Sequence, residues 1–250
     1  MLLELKPGCV YGPVNSRRLG RSLGINALPS GRKACTFDCL YCQYGWTRRD
    51  CLTTPDGFPT AATVLAEVET ALRRLPEPPA FLTFSGHGEP TLHPEFPHLV
   101  DGVIALRNRL APATRTAVLS NSSRLGDAPI RASLRRLDTC IMKLDAGSQT
   151  ALDAFNQPLV SVTIEELVRG LVDLGHVTIQ ALFAGGPAGN HTEAHIAAWV
   201  ECIERIRPVT VQVYSLDRDV PSHHLAPAPR ADLETIAAAL RSRGIQAIAF

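Results

Sequence analysis

Three closely spaced cysteines are the residues of this chain best suited to chemistry. Three residues separate Cys35 from Cys39, and two separate Cys39 from Cys42. Soft thiolates packed this closely suit an iron–sulfur cluster or zinc. A cubane cluster offers four irons to only three local thiolates, so a cluster bound here would leave one iron open to another ligand.

A zinc knuckle or a ferredoxin-like electron carrier is the alternative use of these cysteines, but either requires a fourth ligand at matching spacing. Cys51 is the only nearby candidate, and no second paired-cysteine motif follows it. Cys9, Cys140 and Cys202 are scattered, and the last two lie in apolar or helical patterns typical of buried small hydrophobes. Seven cysteines are an odd number, which argues against a disulfide framework and for a reducing compartment.

The composition predicts a globular protein of the cytoplasm. Of 250 residues, 45% are hydrophobic, no window approaches the roughly 18 to 20 apolar residues of a membrane span, and the N-terminus is too charged for a signal peptide. The net charge is only +1, but residues 1–50 carry +5 and the remainder −4. This basic region suits an anionic substrate, RNA included, an acidic electron donor, or a solvated rim.

Beyond residue 50, short apolar runs typical of strands alternate with helical patterns. The predicted strands are 80–85, 116–120, 140–144, 178–183, 209–216 and 246–250, and the predicted helices are 61–75, 96–110, 130–137, 164–174, 193–206 and 231–243. The alternation predicts an α/β fold with a parallel sheet. Six βα units are too few for a closed eight-stranded barrel, so we expect an open, partial (β/α)6 TIM-like barrel. We expect one domain over 1–250, with 1–31 leading into the cysteine loop.

Polar residues follow several of these strands, at the edge where parallel βα folds collect their chemistry. The strand 80–85 leads into Gly86-His87-Gly88-Glu89-Pro90, whose glycines permit close backbone approach and whose carboxylate can hold an ammonium group. Ser120 and Asn121 end the next strand and are also common turn formers. Alternation places Lys143 and Asp145 on one strand face, where they need a partner or a ligand, and a structural salt bridge is the simpler interpretation.

Together these motifs resemble those of the radical S-adenosylmethionine (SAM) superfamily. The cysteine loop, with Tyr41 just before its last cysteine, is similar to the cluster loop of that superfamily. The segment 86–90 resembles its Gly-Gly-Glu-Pro segment with His87 between the glycines, and Ser120-Asn121 resembles its Ser-Asn-Gly segment with Ser122 in place of glycine. With the segment 10–20, the resemblance covers most of the chain and is to the branch related to the wyosine synthase of transfer RNA.

The resemblance implies both cofactors and residue roles. It implies a [4Fe–4S] cluster on Cys35, Cys39 and Cys42, SAM contacts from Tyr41, Gly86, Gly88, Glu89, Pro90, Ser120, Asn121 and Gln180, and Lys143 and Asp145 near the substrate. In such enzymes the reduced cluster cleaves SAM to methionine and a 5′-deoxyadenosyl radical, which takes a hydrogen atom from the substrate. The partners implied are a flavodoxin or ferredoxin electron donor and a small-molecule or nucleoside/RNA substrate.

Several functions stay open at this point. The wyosine enzymes carry additional N-terminal cysteines for a second cluster, whereas only Cys9 precedes the triad here, so we do not expect this chain to make the wyosine tricycle. The compact size also suits an activase that installs a glycyl radical in a protein substrate. Some relatives instead form a 3-amino-3-carboxypropyl radical, and a non-catalytic iron–sulfur or zinc protein is the remaining alternative. Substrate groups are expected in the loops 15–21, 43–49, 185–191 and 217–224.

Overall fold

The computed structural model describes residues 2–52 and 56–250. Its strands are β1 (Val10–Ser16), β2 (Gly20–Ile25), β3 (Phe81–Phe84), β4 (Arg115–Ser120), β5 (Thr139–Lys143), β6 (Val177–Leu182), β7 (Ala184–Gly185), β8 (Thr210–Tyr214), β9 (Ala226–Pro227) and β10 (Ala247–Ala249). Its helices are α1 (Ala61–Arg74), α2 (Phe96–Leu110), α3 (Ala128–Leu134), α4 (Gln149–Ala151), α5 (Ile164–Leu174), α6 (Glu193–Ile206) and α7 (Arg230–Arg241). A π-helical turn, Leu152–Asn156, directly follows α4, and Arg49–Leu52 and Pro90–Leu92 are 3-10 turns.

Eight strands form one largely parallel sheet in the order β1-β2-β3-β4-β5-β6-β8-β10. Each neighbouring pair from β2 to β10 is parallel, whereas β1 runs antiparallel to β2 in a hairpin. Helices connect the successive parallel strands, as such pairing requires. Among the described strands none pairs β1 with β10, so the barrel is open. The prediction of a partial α/β barrel is confirmed.

All six predicted strands form, but the sequence patterns did not identify the hairpin of β1 and β2. The reason is local: β1 contains Gly12-Pro13, and β2 begins with a glycine followed by polar residues, so neither has a clear strand pattern. β2 nevertheless supplies the first parallel strand, because it pairs in parallel with β3. β3 itself is buried along its whole length. The cysteine loop therefore follows a strand of the barrel.

Capping residues set the helix boundaries. Thr163 and Glu166 form the capping box expected from their spacing, and Gly175 ends α5 with φ at +62°. Helix α3 begins two residues before the predicted start, because Asp127 accepts a hydrogen bond from the backbone N–H of Ile130 and Pro129 lies in the first turn. No helix in the described ranges is both long and apolar enough to cross a membrane.

The apolar core lies between the sheet and the helices, while polar residues line the inside of the barrel. Phe84 of β3 packs against Phe96 of α2, with ring centroids 5.4 Å apart. On the inner side, Lys143, Gln180 and Gln212 are register partners across β5, β6 and β8. Gln180 donates to Gln212 at 3.0 Å, which pairs the two buried amide groups. These three polar side chains therefore form a row across the inner side of the sheet.

Candidate active site at the open barrel

The cysteine loop is held by backbone hydrogen bonds to two other segments. Glu89 N donates to Ala34 O at 2.9 Å, and a parallel bridge joins Ala34 to Gly88. On the other side, Leu40 N donates to Phe155 O at 3.1 Å, in the π-helical turn. The loop is therefore fixed between the end of β3 and the segment after β5, and the positions of its cysteines depend on both.

Buried polar groups surround the three thiols. Asn121 Nδ2 lies 3.5 Å from Cys35 Sγ, and Asn156 Nδ2 lies 3.4 Å from Cys39 Sγ. Burial, followed by the charge of Asp145, raises the pKa of Cys39 to about 12, and burial also raises the pKa of Cys35. Thiols in such surroundings hold their protons unless a cation is bound to them, and coordination to a metal deprotonates them.

Lys33 is a buried cation beside the same thiols. Its Nζ donates to Gly45 O at 2.6 Å. Burial acts to lower the pKa of Lys33, but the neighbouring Cys42 and Cys35 outweigh it and leave this pKa raised. No three His, Cys, Asp or Glu side chains in the described chain converge on a single point suited to one metal ion. Three thiols with a nearby cation and two amide donors fit a cluster, whose ligands bind separate irons.

Glu89 connects the segment 86–90 to the end of β4. Its buried Oε1 accepts from Thr91 N at 3.1 Å, from Thr91 Oγ1 at 2.6 Å and from Ser120 Oγ at 2.9 Å, while Oε2 accepts from Asn121 N at 2.6 Å. Burial raises the pKa of Glu89, although these hydrogen bonds oppose the shift. Within the described chain Oε2 accepts one hydrogen bond, so it can accept another from a ligand.

The turn after β4 explains why the superfamily pattern has glycine where this chain has Ser122. Ser122 adopts φ of +71°, a left-handed conformation that glycine adopts without cost. Its N–H donates to Ser120 Oγ at 3.2 Å, and its Oγ donates to Lys143 O at 2.9 Å. These local hydrogen bonds stabilise the turn and attach it to β5.

The predicted pair Lys143 and Asp145 forms a salt bridge, with Nζ 2.8 Å from Oδ1. Because β5 ends at Lys143, Asp145 follows the strand instead of lying on its face. The carboxylate also accepts from Leu182 N at 2.8 Å, from Asn156 Nδ2 at 2.9 Å and from the hydroxyl of Tyr41. With its acceptor positions occupied, Asp145 connects the cysteine loop, β6 and the π-helical turn.

Lys143 itself remains available to a ligand in the barrel. Its Nζ donates to Tyr214 OH at 2.7 Å and lies 4.7 Å from the centroid of that ring. Burial acts to lower the pKa of Lys143, but Asp145 and Tyr214 outweigh it, so the pKa is raised and the amine keeps its proton. Such a group can bind an anion or donate a proton, but it is a poor nucleophile.

A cavity of about 520 Å³ joins these groups at the carboxyl ends of the strands. This volume lies within the range of small-molecule sites. Of the predicted residues, its wall includes Tyr41, Cys42, Gly88, Glu89, Ser120, Asn121, Lys143 and Gln180; Cys35, Cys39, Gly86, Pro90 and Asp145 lie outside that lining. Residues 14–18, 43–44 and 214–218 form much of the remaining wall, which brings three of the four expected substrate loops, 15–21, 43–49 and 217–224, to the cavity.

No sequence signal indicated the contacts of Asn156, in the site, or those of His87, beside it. Asn156 contacts Cys39 and Asp145, but it lies in a π-helical turn that no periodic pattern indicates. His87, inserted between the two glycines, is fully buried; its Nδ1 accepts from Lys6 N at 3.1 Å and its Nε2 donates to Pro29 O at 2.7 Å. This histidine stabilises the N-terminal segment and does not line the cavity.

Comparison with known proteins identifies the family. Residues 32–179 match the model of the radical SAM superfamily, and this range includes the three cysteines, Glu89, Asn121 and Lys143. The chain belongs to the radical SAM superfamily. Members of this superfamily typically use SAM and a [4Fe–4S] cluster. This radical SAM protein is 31% identical over 217 residues to the UPF0026 protein slr1464 of Synechocystis sp., an alignment that covers 85% of this chain and 77% of that protein.

Solved structures show the same fold at low sequence identity. A radical SAM methyltransferase from Sphaerobacter thermophilus superposes with a TM-score of 0.68 and 18% identity, covering 92% of this radical SAM protein and 65% of the methyltransferase chain. TYW1 with a lysine–pyruvate adduct bound superposes with a TM-score of 0.62 and 16% identity, covering 89% and 73% of the two chains. The predicted membership of the radical SAM superfamily is confirmed, and TYW1 is one of the structures that share the fold. At these identities the similarity concerns the fold.

Proposed function

We propose that this protein is a radical SAM enzyme that binds a [4Fe–4S] cluster through Cys35, Cys39 and Cys42 and acts on a small molecule or a nucleoside, free or within RNA. One observation carries the proposal: Cys42, Glu89 and Asn121 border the same cavity, while Asn121 also contacts Cys35. When bound, the reduced cluster supplies one electron to the sulfonium of SAM, whose cleavage yields methionine and a 5′-deoxyadenosyl radical.

The residues of the chain divide the cavity into a cofactor side and a substrate side. On the cofactor side, the free acceptor position of Glu89 suits the ammonium group of SAM, and the Ser120-Asn121 turn that Glu89 fixes lies beside it. Gln180 also lines the cavity, and its amide donates a hydrogen bond to Gln212. Residues 14–18 and 214–218 also line the cavity, so we expect the substrate to bind between the hairpin and the end of β8.

The reaction also requires an electron donor, and we expect a flavodoxin or ferredoxin. The cysteine loop reaches the protein surface at Trp46, which is about half exposed and follows Gly45, whose N–H donates to Cys42 O at 2.9 Å. An electron delivered at this surface therefore has a short route to the proposed cluster.

Reconstitution under anaerobic conditions tests the proposal. The protein is loaded with iron and sulfide, reduced with dithionite and mixed with SAM, and the adenosyl product is identified by mass spectrometry. We expect 5′-deoxyadenosine from the wild type. Cys39→Ala should lose both cluster absorbance and product, whereas Cys140→Ala, which removes a buried thiol of β5 outside the site, should keep both.

Other products would change the conclusion. Methylthioadenosine would indicate the 3-amino-3-carboxypropyl branch, and a Cys39→Ala protein that kept its cluster would contradict the ligand assignment. A wild-type protein that holds iron but binds no SAM would instead be a non-catalytic iron–sulfur protein. The glycyl-radical activase remains an alternative, and it predicts hydrogen abstraction from a glycine of a partner protein.

A further inference from the structure

The turn of the β1–β2 hairpin extends to the other edge of the open barrel. Ser16 Oγ accepts from Arg18 N at 3.2 Å and from Leu19 N at 3.1 Å, which fixes the turn. Arg17 forms an ion pair of 2.6 Å with Asp217, past the end of β8. The hairpin thus spans the opening between the first and last strands of the sheet, and its turn contributes to the cavity wall.

Arg18 lies at this turn with its guanidinium between two aromatic rings. Its Cζ lies 4.4 Å from the centroid of the Tyr214 ring and 5.0 Å from that of Phe250. Its Nε is buried and has no hydrogen-bond partner. Stacking on both rings fixes the direction of the side chain and removes water from it, but provides no counter-charge.

The other charged side chains on the cavity wall are compensated by an ion pair, by hydrogen bonds or by solvent. Arg18 differs because, within the described part of the chain, it forms no ion pair of its own. Lys143 is paired with Asp145, Arg17 is paired with Asp217, and Glu89 accepts four hydrogen bonds. Arg218 also lines the wall but is exposed to solvent, so water screens its charge. Asp217 attracts Arg18 from a distance but is paired with Arg17, so Arg18 forms no ion pair of its own with the described residues. Such a partly desolvated cation is unfavourable until an anion binds it.

We propose that Arg18 binds an oxyanion of the substrate, so that the substrate of this enzyme is a phosphorylated or carboxylic compound. The inference rests on the proposed function, because it assigns the substrate side of the same cavity. Lys143 lies 4.7 Å from the centroid of the ring that Arg18 also contacts, and both cations border the same cavity. Guanidinium groups match phosphate and carboxylate geometry, and stacking has already ordered this one.

Equilibrium binding of two simple anions tests this assignment. The reconstituted protein, saturated with SAM under anaerobic conditions, is titrated in a calorimeter with inorganic phosphate and, separately, with malonate. Arg18→Met should weaken binding about tenfold or more, since a hydrogen bond to a charged group is worth at least that factor. Arg73→Met, which removes the same charge from an exposed ion pair of α1 outside the cavity lining, should change the affinity by less than about twofold, because exposed pairs contribute little.

Two further measurements separate this role from a structural one. Arg18→Lys keeps the charge without the planar fork and should retain part of the anion affinity, and the SAM affinity of Arg18→Met should equal that of the wild type. A preference for phosphate would identify a phosphorylated substrate, and a preference for malonate a carboxylic acid.

Four results would contradict the inference. One is equal anion binding by Arg18→Met and the wild type, and another is binding of neither anion by the wild type. A parallel loss of SAM affinity in Arg18→Met would assign Arg18 to the cofactor instead. Failure of the wild type to bind SAM at all would overturn the proposed function and this inference with it, whereas a wild type that binds SAM but neither anion would overturn the inference alone.

Discussion

Gly88 and Ala34 approach so closely that a Cβ added to Gly88 would lie 1.7 Å from the carbonyl oxygen of Ala34. This contact joins the segment after β3 to the residue immediately before Cys35. Position 88 requires glycine because the two backbone segments lie so close that no side chain fits between them. The cysteine loop and the proposed SAM-binding segment are therefore one structural unit.

Gly88→Ala should separate these two segments. The added methyl group meets backbone that cannot rotate away, so we expect a loss of about 3 kcal/mol in unfolding free energy. Iron incorporation on reconstitution should fall with it, as measured by iron per chain and visible absorbance. Gly31→Ala is the matched control, because a Cβ there has no neighbour within 4 Å. Equal iron content in both variants would show that the contact does not position the cysteines.

Glu89→Ala should weaken SAM binding without loss of the cluster. The substitution removes a carboxylate that accepts hydrogen bonds from Ser120 and Asn121, so the turn that borders the cofactor side loses its anchor. We expect at least a tenfold increase in the SAM dissociation constant and unchanged iron content, measured by equilibrium binding and iron analysis. Glu77→Ala, at an exposed position, is the control. A variant that lost iron would place Glu89 in the support of the cysteines instead.

Asp145 and Lys143 should respond unequally to substitution. Asp145→Ala leaves Lys143 as an unpaired, largely buried charge and frees the hydrogen-bond donors of Asn156 and Leu182, so we expect a loss of about 3 to 5 kcal/mol in stability. Lys143→Met leaves the Asp145 carboxylate with its other three hydrogen-bond donors and should reduce the stability by less. Urea unfolding of both variants measures the difference, and equal losses would contradict the role of Asp145 as the connecting residue.

Two buried histidines should make stability depend on pH. His87 and His93 each accept a backbone N–H and donate to a carbonyl, which requires the neutral ring. Burial lowers the pKa of both below the ordinary value of 6.5, although their hydrogen bonds to Pro29 and Pro59 oppose the shift. The unfolded chain therefore binds protons that the folded chain does not, and stability is complete above pH 6.5 and lost as the pH falls below it.

The expected slope is up to about 1.4 kcal/mol per pH unit for each histidine, down to its folded-state pKa. Urea unfolding between pH 5.5 and 8 measures it. The double variant His87→Asn, His93→Asn should be less stable at pH 8 but show a flatter profile, while the exposed His98→Asn should follow the wild type. A double variant with the wild-type slope would assign the pH dependence to other groups.

Local sequence determined the fold class and the chemistry. The helices and strands after residue 60 follow from apolar periodicity and from caps such as Thr163 with Glu166, because these signals depend on neighbours a few residues away. The spacing of Cys35, Cys39 and Cys42 likewise depends on one loop, so it could be interpreted without a structure. The strand-end position of Glu89 and Asn121 followed from the regular βα alternation.

Tertiary structure determined which residues distant in sequence contact these motifs. Asn156 reaches Cys39 across 117 residues of sequence, and Arg18 reaches Tyr214 and Phe250 because the hairpin spans the barrel opening. It also decided that Asp145 is a connecting group with its acceptors occupied, a distinction that depends on Leu182 and Tyr41. Such contacts depend on how distant segments pack, and local spacing carries no information about that packing. The sequence alone therefore specified the superfamily, while only the assembled barrel defined the part of the cavity to which we assign the substrate.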